Sequence, residues 1–306
     1  MYYGGLGYDP QQVVHVAPVL LHFGTEKQKR DHLPPIAKGE VIWCQGFSEP
    51  DAGSDLASLK TRAIPDGNDF IINGQKVWSS RAHQADWCHV LARTDPEAPK
   101  HRGISYFLVD MRSPGISVNP LNGMYGSQSM CEIFLDNVRV PRENMVGELN
   151  QGWSIAVSML DLERLIYIEQ VGVGRRVLEM LVQYANEKDM SKDPFVRQNL
   201  AEMAIEVDVC RLLGQRAAWL IDRGLPVSGE CSMGKIITTE WPQRWANIGM
   251  QILGLYSQLS EDSELAQLAG RIQHWYIRSF GLTIAAGTSE IERMILATRG
   301  LELPRS

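Results

Sequence analysis

The spacing of apolar residues changes twice along the chain. Up to about residue 40 the apolar positions recur at helical intervals, as in Val13, Ala17 and Leu20. Between residues 41 and 146, short apolar runs are separated by turn residues, which is the pattern of strands. From residue 151 onward the interval is helical again. The pattern therefore predicts a short helical start, a middle β region and a helical C-terminal region.

Capping residues place the helix ends. Asp9-Pro10 predicts the start of a first helix, Gly24 its end, and Thr25 the cap of a second helix over residues 26–37. Four long helices with short connections follow in the C-terminal region, which predicts an antiparallel bundle. They cover residues 152–187, 194–223 after Asp193, 228–255 from Ser228, and 263–280 opened by Ser263 or an adjacent acid, and Thr288 caps a short final helix.

The middle region reads as a set of short strands. Many such strands with regular turns predict a small β-barrel or sandwich. The apolar runs are residues 41–43, 70–72, 87–92, 104–109 and 133–140, and the turn signals are residues 66–68, 73–74, 102–103 and 113–115.

Residues 43–55 continue from a strand into a loop rich in small side chains. Gly53 and Ser54 put little between the backbone and a neighbour, so a large flat or anionic ligand can come close. Bare N–H groups and small hydroxyls are usual means of holding a cofactor. The same residues also fit a plain surface turn capped by Ser48 or Asp51.

The composition is that of an ordinary globular protein, with 306 residues, a net charge of −6, 44% hydrophobic and 22% charged residues. A net negative charge is not typical of proteins that bind nucleic acid. No apolar run reaches the roughly 20 residues that span a bilayer. No secretory signal is visible, so a cytoplasmic location is expected. The five cysteines lack metal-ligand spacing and are expected as buried free thiols, so no metal site is predicted.

One acidic residue interrupts the apolar face of the predicted helix over residues 152–187. Glu163 lies three or four residues from Leu160 and Tyr167, so its carboxylate lies on an apolar stripe. Desolvation at such a position favours proton uptake, as a general base requires. A structural ion pair with a nearby arginine or a neighbouring helix is the alternative.

Four stretches, in order along the chain, carry a family resemblance: WCQGFSEPDAGSD (43–55), GQKVWSS (74–80), FLDNVRVP (134–141) and GTSEIER (287–293). They resemble the acyl-CoA dehydrogenases over nearly the whole chain. The resemblance implies an α+β multidomain fold in which most of the N-terminal helical domain is missing, together with part of the acyl-pocket wall. The implied domains are a remnant of the all-α N-terminal domain (1–40), a middle β domain (41–150) and a C-terminal four-helix bundle (151–306).

The resemblance also implies a reaction, the formation of a trans-2-enoyl-CoA by α-proton abstraction and β-hydride transfer to flavin N5. Many members take the proton with a glutamate before a Gly-Thr pair, where this sequence has Ala286, which cannot take a proton. A branch that includes isovaleryl-CoA dehydrogenase has its base on the long helix, in an LDLERL sequence that matches residues 160–165. The resemblance therefore implies Glu163 as the base and Ala286 as the donor of a backbone N–H to the thioester oxygen.

FAD is the implied cofactor. Phe47 and Ser48 match residues near the pyrimidine end of the flavin, Trp78 matches a tryptophan against the isoalloxazine, and the Ser80 hydroxyl matches a contact to N5. Without the resemblance, Trp78 reads equally as ordinary core and Ser80 as a turn residue. Further cofactor contacts are implied for Gly53, Ser54, Gln251, Thr288 and Glu290, and substrate contacts for Ser54, Asp161 and Arg164.

The sequence departs from the family pattern in the half of the site that binds the adenine diphosphate. Leu255 stands where a second glycine is usual, and residues 187–194 contain no clear match to a frequent arginine. FAD is therefore expected to bind more weakly, or through another residue such as Arg271. Arg164 is equally a structural partner of Glu163.

The implied partners are an acyl-CoA substrate, an electron-transferring flavoprotein as electron acceptor, and further copies of the chain in a homotetramer built as a dimer of dimers. The acyl group is expected to be an unusual one, with a dicarboxylic, branched or ring-bearing chain. Two alternatives stay open. One is a non-catalytic structural subunit of a hetero-oligomeric dehydrogenase, and the other is a flavin oxidase or monooxygenase on the same fold.

Overall fold

In the computed structural model the chain divides into two units, Met1–Leu162 and Glu163–Ser306. The structure describes residues 12–124, 129–163 and 169–304. The helix start predicted at Asp9-Pro10 and residues 164–168 of the predicted long helix lie outside the described residues. The α+β fold class is confirmed, and the domain boundaries after residues 40 and 150 stay predictions.

The first unit begins with two helices, and the capping residues correctly predict the end of the first and the start of the second. α1 (Ala17–Phe23) ends at Gly24, and α2 (Glu26–Lys38) begins directly after Thr25. The Thr25 hydroxyl accepts the Gln28 N–H at 3.2 Å, and the Gln28 side chain accepts the Thr25 N–H at 3.0 Å. This reciprocal capping box satisfies two N–H groups that the helix itself leaves unpaired.

Eight strands form one mixed sheet in the order β6-β7-β3-β2-β4-β5-β8, with β1 paired in parallel to β4. The rings of Phe70 on β3 and Phe107 on β5 lie 5.0 Å apart. These strands are three steps apart in the sheet, about 14 Å if it were flat, so the sheet curls over on itself as a barrel or sandwich does. The strands are β1 (Trp43–Gly46), β2 (Arg62–Asp66), β3 (Asp69–Ser80), β4 (Trp87–Arg93), β5 (Ile104–Asp110), β6 (Ile116–Leu121), β7 (Met130–Pro141) and β8 (Met145–Val146).

Two of the sequence predictions for this sheet are wrong. The strand predicted at residues 41–43 begins only at Trp43, because the Ile42 N–H bonds the Asp86 carboxylate at 2.9 Å instead of a neighbouring strand. The turn predicted at residues 73–74 lies inside β3, at a bulge. A Cβ on Gly74 would lie 2.3 Å from the Thr61 hydroxyl. This glycine therefore allows β3 to pass close to the segment that contains Thr61, and it does not form a turn.

Alternation along β4 builds two cores on the two faces of the sheet. Leu91 belongs to the core that packs on α1, α2 and α3 (Gly152–Glu163). Cys88 and Val90 point to the opposite core, inside the curl of the sheet. The first unit therefore has one helix-covered face and one enclosed face.

The second unit is helical, with α4 (Glu169–Glu187), α5 (Pro194–Asp222), α6 (Ser228–Leu253), α7 (Arg271–Leu282) and α8 (Ser289–Ile295). The Asp193 side chain caps α5 as predicted, accepting the Phe195 N–H at 2.8 Å. Trp241 and Trp245 of α6 lie in the core, and the Trp245 ring lies 5.5 Å from that of Trp275 on α7. Among the described helices, none combines the length and the apolar character that crossing a membrane requires.

The helix predicted from residue 263 is wrong at its start, because α7 begins at Arg271. Leu268 and Ala269 both have positive φ, 51° and 53°, and Gly270 follows at 67°. Left-handed residues cannot continue a right-handed helix. The segment before Arg271 is therefore a short irregular connection.

Candidate active site

The loop after β1 holds the first group of predicted cofactor residues. The buried Phe47 ring packs on His89 at 5.1 Å and on Tyr106 at 6.0 Å. Glu49 and Ala52 then exchange two backbone hydrogen bonds of 3.0 and 3.1 Å. The backbone itself therefore closes this turn, without a capping side chain.

Gly53 and Ser54 follow the turn, and both are exposed. A Cβ added to Gly53 would meet no atom within 4 Å. The structure thus leaves open space beside this backbone, as the sequence predicts for a loop that a large ligand approaches.

Trp78 lies in a bulge of β3 between Lys76 and Ser79. Its φ is 62° and its side chain is 63% exposed. An extra residue in a strand redirects the side chain at the bulge, which here turns the indole outward. The alternative that Trp78 is an ordinary core residue is wrong.

Ser80 is the last residue of β3, so the alternative that it is a turn residue is wrong as well. Its hydroxyl is half-buried and lies 3.4 Å from the Met130 sulfur on β7. A weak sulfur acceptor leaves the hydroxyl able to bond a better partner.

A backbone contact joins the loop to the bulge, because the Val77 N–H donates to the Ser48 carbonyl at 2.9 Å. Ser48 is half-buried, and its own N–H makes no hydrogen bond to a described residue. The first unit therefore brings together an exposed indole, a hydroxyl and a bare N–H. A flavin needs a flat apolar partner for its ring and polar partners for its edge, and these residues fit both needs.

A buried ion pair lies between the same two segments. Lys76 is 0% exposed and Glu49 is 7% exposed, and their Nζ and Oε1 atoms are 2.8 Å apart. Burial alone would raise the pKa of Glu49, but the Lys76 charge and the hydrogen bonds to the carboxylate hold it below its ordinary value. Burial lowers the pKa of Lys76, and Glu49 opposes that shift. Each charge therefore opposes the cost of burying the other.

The turn between α7 and α8 holds the second group of predicted residues. Ala286 has a left-handed φ of 54°, and its N–H makes no hydrogen bond to a described residue. Thr288 caps α8 as predicted, accepting the Ile291 N–H at 3.2 Å, and Glu290 is exposed on the first turn of that helix. The turn therefore presents a bare, half-buried N–H at Ala286.

A second buried lysine supports this turn. Lys235 of α6 donates from Nζ to the Leu282 carbonyl at 3.3 Å and to the Gly287 carbonyl at 2.5 Å. A Cβ on Gly287, whose φ is 93°, would lie 2.4 Å from the buried Glu292 carboxylate. Residues 282–287 are therefore held at both ends, and a side chain at Gly287 would strain the backbone and displace the Glu292 carboxylate.

Glu163 is the last residue of α3 and is half-buried, with its Oε2 atom inaccessible to solvent. Asp161 lies on the same helix, and its side chain and the whole of Arg164 fall outside the described residues. Gln251 is exposed on α6 and Leu255 is exposed just after it. The Arg271 guanidinium contacts the Met180 sulfur at 3.4 Å, which leaves it able to bind an anion.

Sequence reasoning missed Glu49, Lys76 and Lys235. A signal was available for Lys235, which shares a helical stripe with the buried Cys231 and Thr238. Glu49 and Lys76 lie inside the quoted family stretches, but nothing in the residue pattern pairs them. In the described part of the chain, no group of three His, Cys, Asp or Glu side chains is arranged to bind a metal ion.

Known protein domains match both units. The profile of the acyl-CoA dehydrogenase middle domain matches residues 44–138, and that of the acyl-CoA dehydrogenase C-terminal domain matches residues 150–301. Acyl-CoA dehydrogenase FadE34 of Mycobacterium tuberculosis is 39% identical over 289 residues, which cover 94% of this chain and 39% of that protein. Acyl-CoA dehydrogenase IpdE1 of the same organism is 35% identical over 302 residues, which cover 97% of this chain and 77% of that protein.

Solved structures agree with these matches. The structure described as the Tcur3481-Tcur3483 steroid ACAD has a TM-score of 0.93 and 34% identity, over 97% of this chain and 77% of that one. The ChsE4-ChsE5 complex from Mycobacterium tuberculosis has a TM-score of 0.89 and 32% identity, over 97% and 78%. On these grounds the chain belongs to the acyl-CoA dehydrogenase family of flavoprotein oxidoreductases, whose cofactor is FAD.

Proposed function

We propose that the protein is an FAD-dependent acyl-CoA dehydrogenase that forms a trans-2-enoyl-CoA with Glu163 as the base. The observation that carries this proposal is the turn at Ala286. It offers a bare N–H in a fixed left-handed conformation and no carboxylate. The base that the reaction needs must then come from elsewhere, and Glu163 is a half-buried carboxylate at a helix end.

The roles of the two residues follow from their chemistry. The Ala286 N–H donates a hydrogen bond to the thioester oxygen of the substrate, which stabilises the negative charge that develops there as the α-proton leaves. Glu163 takes that proton, and the burial of its Oε2 atom keeps water from competing for it. Asp161 and Arg164 are proposed contacts of the CoA arm.

FAD, when bound, accepts the hydride that leaves the β-carbon. In the first unit, Trp78 offers its exposed face to the ring, Ser80 its hydroxyl, and Phe47 and Ser48 their backbone. The remaining proposed cofactor residues are Gly53, Ser54, Gln251, Thr288 and Glu290, with Arg271 as the proposed source of positive charge for the diphosphate. The proposed partners are an electron-transferring flavoprotein and further copies of the chain in a homotetramer.

We propose a ring-bearing acyl group for the substrate. Among the three classes that the sequence suggests, this one is supported by the likeness to a structure described as a steroid ACAD. A panel of acyl-CoA thioesters with ring-bearing, branched and dicarboxylic chains would rank the three classes by the rate at which each bleaches the bound flavin.

Two variants test the assignment of the base. Glu163→Gln keeps the shape of the side chain and removes its proton acceptor, so we expect turnover to fall by about 1,000-fold while FAD still binds. Glu179→Gln changes an exposed glutamate of α4 and serves as the control. Near-normal turnover of Glu163→Gln would exclude Glu163 as the base. Some recovery in Glu163→Gln/Ala286→Glu would show that a carboxylate at position 286 can replace it.

The second candidate function is a structural subunit of a hetero-oligomeric dehydrogenase. The observation in its favour is the likeness to a structure described as the ChsE4-ChsE5 complex. Co-expression with a longer homologous chain discriminates between the two candidates. A chain that binds FAD and turns over acyl-CoA alone supports the first candidate. A chain that does neither alone but co-purifies with an active homologous chain supports the second.

A further inference from the structure

We propose that the buried Lys76–Glu49 pair positions the backbone that binds the flavin in the first unit. Both residues are then positioning residues for the cofactor. This inference rests on the proposed FAD site and extends it to two side chains that lie beneath the site and not in it.

Lys76 fixes the orientation of one peptide group. Its Nζ donates to the Phe47 carbonyl at 3.1 Å, from the buried side. The Phe47–Ser48 peptide is trans, so its N–H points away from the carbonyl and from the buried ammonium. The bare Ser48 N–H is thereby turned outward. A charged donor on the carbonyl also polarises the peptide, which makes that N–H a stronger donor.

Glu49 fixes the chain on both sides of the loop. Its carboxylate accepts the Lys60 N–H at 2.6 Å and the Thr61 N–H at 2.9 Å. Its own backbone closes the turn with Ala52. One carboxylate therefore ties the turn to the chain eleven and twelve residues later, and the exposed Gly53 and Ser54 lie between these ties.

The pair also connects the loop to the bulge. Lys76 is the residue at which the bulge begins, and the next residue, Val77, bonds the Ser48 carbonyl. With Lys76 held inward, the following residues place the Trp78 indole outward. The two family stretches that contribute Ser48 and Trp78 are thus joined through the ion pair, the Lys76–Phe47 hydrogen bond and one backbone hydrogen bond.

Stability alone is a weak explanation for such a pair. Removing two charges from water is costly, and apolar residues of the same volume often stabilise a protein equally well. The hydrogen bonds that Lys76 and Glu49 make to the backbone instead indicate that the pair fixes the geometry of the loop. It holds an outward N–H and an outward indole in place before a ligand arrives.

The decisive variant is the uncharged double substitution Lys76→Met/Glu49→Gln. It leaves no unpaired buried charge, so the fold should be retained, but the Phe47 carbonyl loses its donor. We expect the Kd for FAD, followed by flavin fluorescence, to rise by about 30-fold, as for loss of a hydrogen bond to a charged group. The visible spectrum of the bound flavin should also change. Lys27→Met/Asp31→Asn removes an exposed ion pair of the same unit and should leave the Kd unchanged.

The outcomes separate this inference from the proposed function. If the wild-type chain binds no FAD, the proposed function fails. If the wild type binds FAD and the folded double variant binds it equally well, with the same spectrum, the positioning role is wrong.

Hydrogen exchange on the wild-type chain without FAD provides a test that does not depend on the variant folding. The amides of Lys60 and Thr61, which bond Glu49, should be protected before FAD is added. Protection that develops only after FAD is added would overturn the inference that the loop is set in advance.

Discussion

The loop after β1 and the turn before α8 are both supported by a buried lysine, but in different ways. Lys76 pairs with the Glu49 carboxylate and orients one peptide of its loop. Lys235 bonds the carbonyls at the two ends of its turn. The loop after β1 is held by an ion pair between two opposite charges, whereas the turn before α8 is held by one ammonium group that donates hydrogen bonds to two carbonyls. The two lysines should therefore respond differently to substitution.

Among the variants that test this comparison, the largest effect is expected at Lys235. Lys235→Met leaves the Leu282 and Gly287 carbonyls without this donor, so the turn can move and carry the Ala286 N–H with it. A misplacement of about 1 Å costs on the order of 100-fold in rate. We expect turnover to fall by about that factor, mainly in kcat, while the Kd for FAD changes far less than in the Lys76 variants. Lys188→Met, at an exposed lysine of the same unit, is the control.

Steady-state kinetics and an FAD titration on the same preparations check this contrast. A Lys235→Met protein that loses FAD and keeps kcat would reverse the roles assigned to the two lysines. Lys235→Arg keeps the charge, and partial recovery of kcat in that variant would support a role through hydrogen bonding.

A smaller effect is expected for Gly287→Ala, which tests how rigidly the turn is built. The added Cβ would lie 2.4 Å from the Glu292 carboxylate, at a φ of 93°. We expect the free energy of unfolding to fall by about 2 kcal/mol, from strain and displacement of a buried acid. Gly281→Ala is the matched control, since its Cβ meets nothing within 4 Å and the residue lies in α7, so it should stabilise slightly. Equal urea midpoints for the two variants would show that the turn is loose.

The smallest effect concerns the support of Phe47 by His89. Burial and then His15 lower the pKa of His89 well below 6.5. The unfolded chain therefore takes up a proton below pH 6.5 that the folded chain does not, so stability is lost as the pH falls through that range. His89→Gln should reduce this slope by up to about 1.4 kcal/mol per pH unit. Urea unfolding at pH 7.5 and 5.5 measures the slope, and an unchanged slope would show that His89 is protonated in the fold.

The sequence predicted those features that depend on a few neighbouring residues. Thr25, Asp193 and Thr288 cap helices as expected, because a cap uses only the next two or three N–H groups. The start of α7 was missed, since nothing in Leu268 or Ala269 shows that both adopt a left-handed conformation. Residues 73–74 look like a turn and form a bulge, because the close approach of Thr61 is a long-range contact.

The candidate site was predictable to a similar extent. The resemblance points to residues for contact with a ligand, such as Ser48 and Trp78, and these stay predictions. It does not identify the buried lysines that hold this backbone in place, because the burial of Lys76 or Lys235 is determined by chain segments far away in the sequence. Burial, and with it the role of a charge, became visible only in three dimensions.

An anaerobic absorbance titration with a panel of acyl-CoA thioesters tests the proposed reaction. The purified wild-type chain should show a flavin spectrum that one acyl class bleaches, and we expect this to be the ring-bearing class. Glu163→Gln should show the same flavin spectrum and bleach about 1,000-fold more slowly. A wild-type flavin that no acyl-CoA bleaches would exclude the proposed dehydrogenase activity, and a Glu163→Gln protein that bleaches at the wild-type rate would exclude Glu163 as the base.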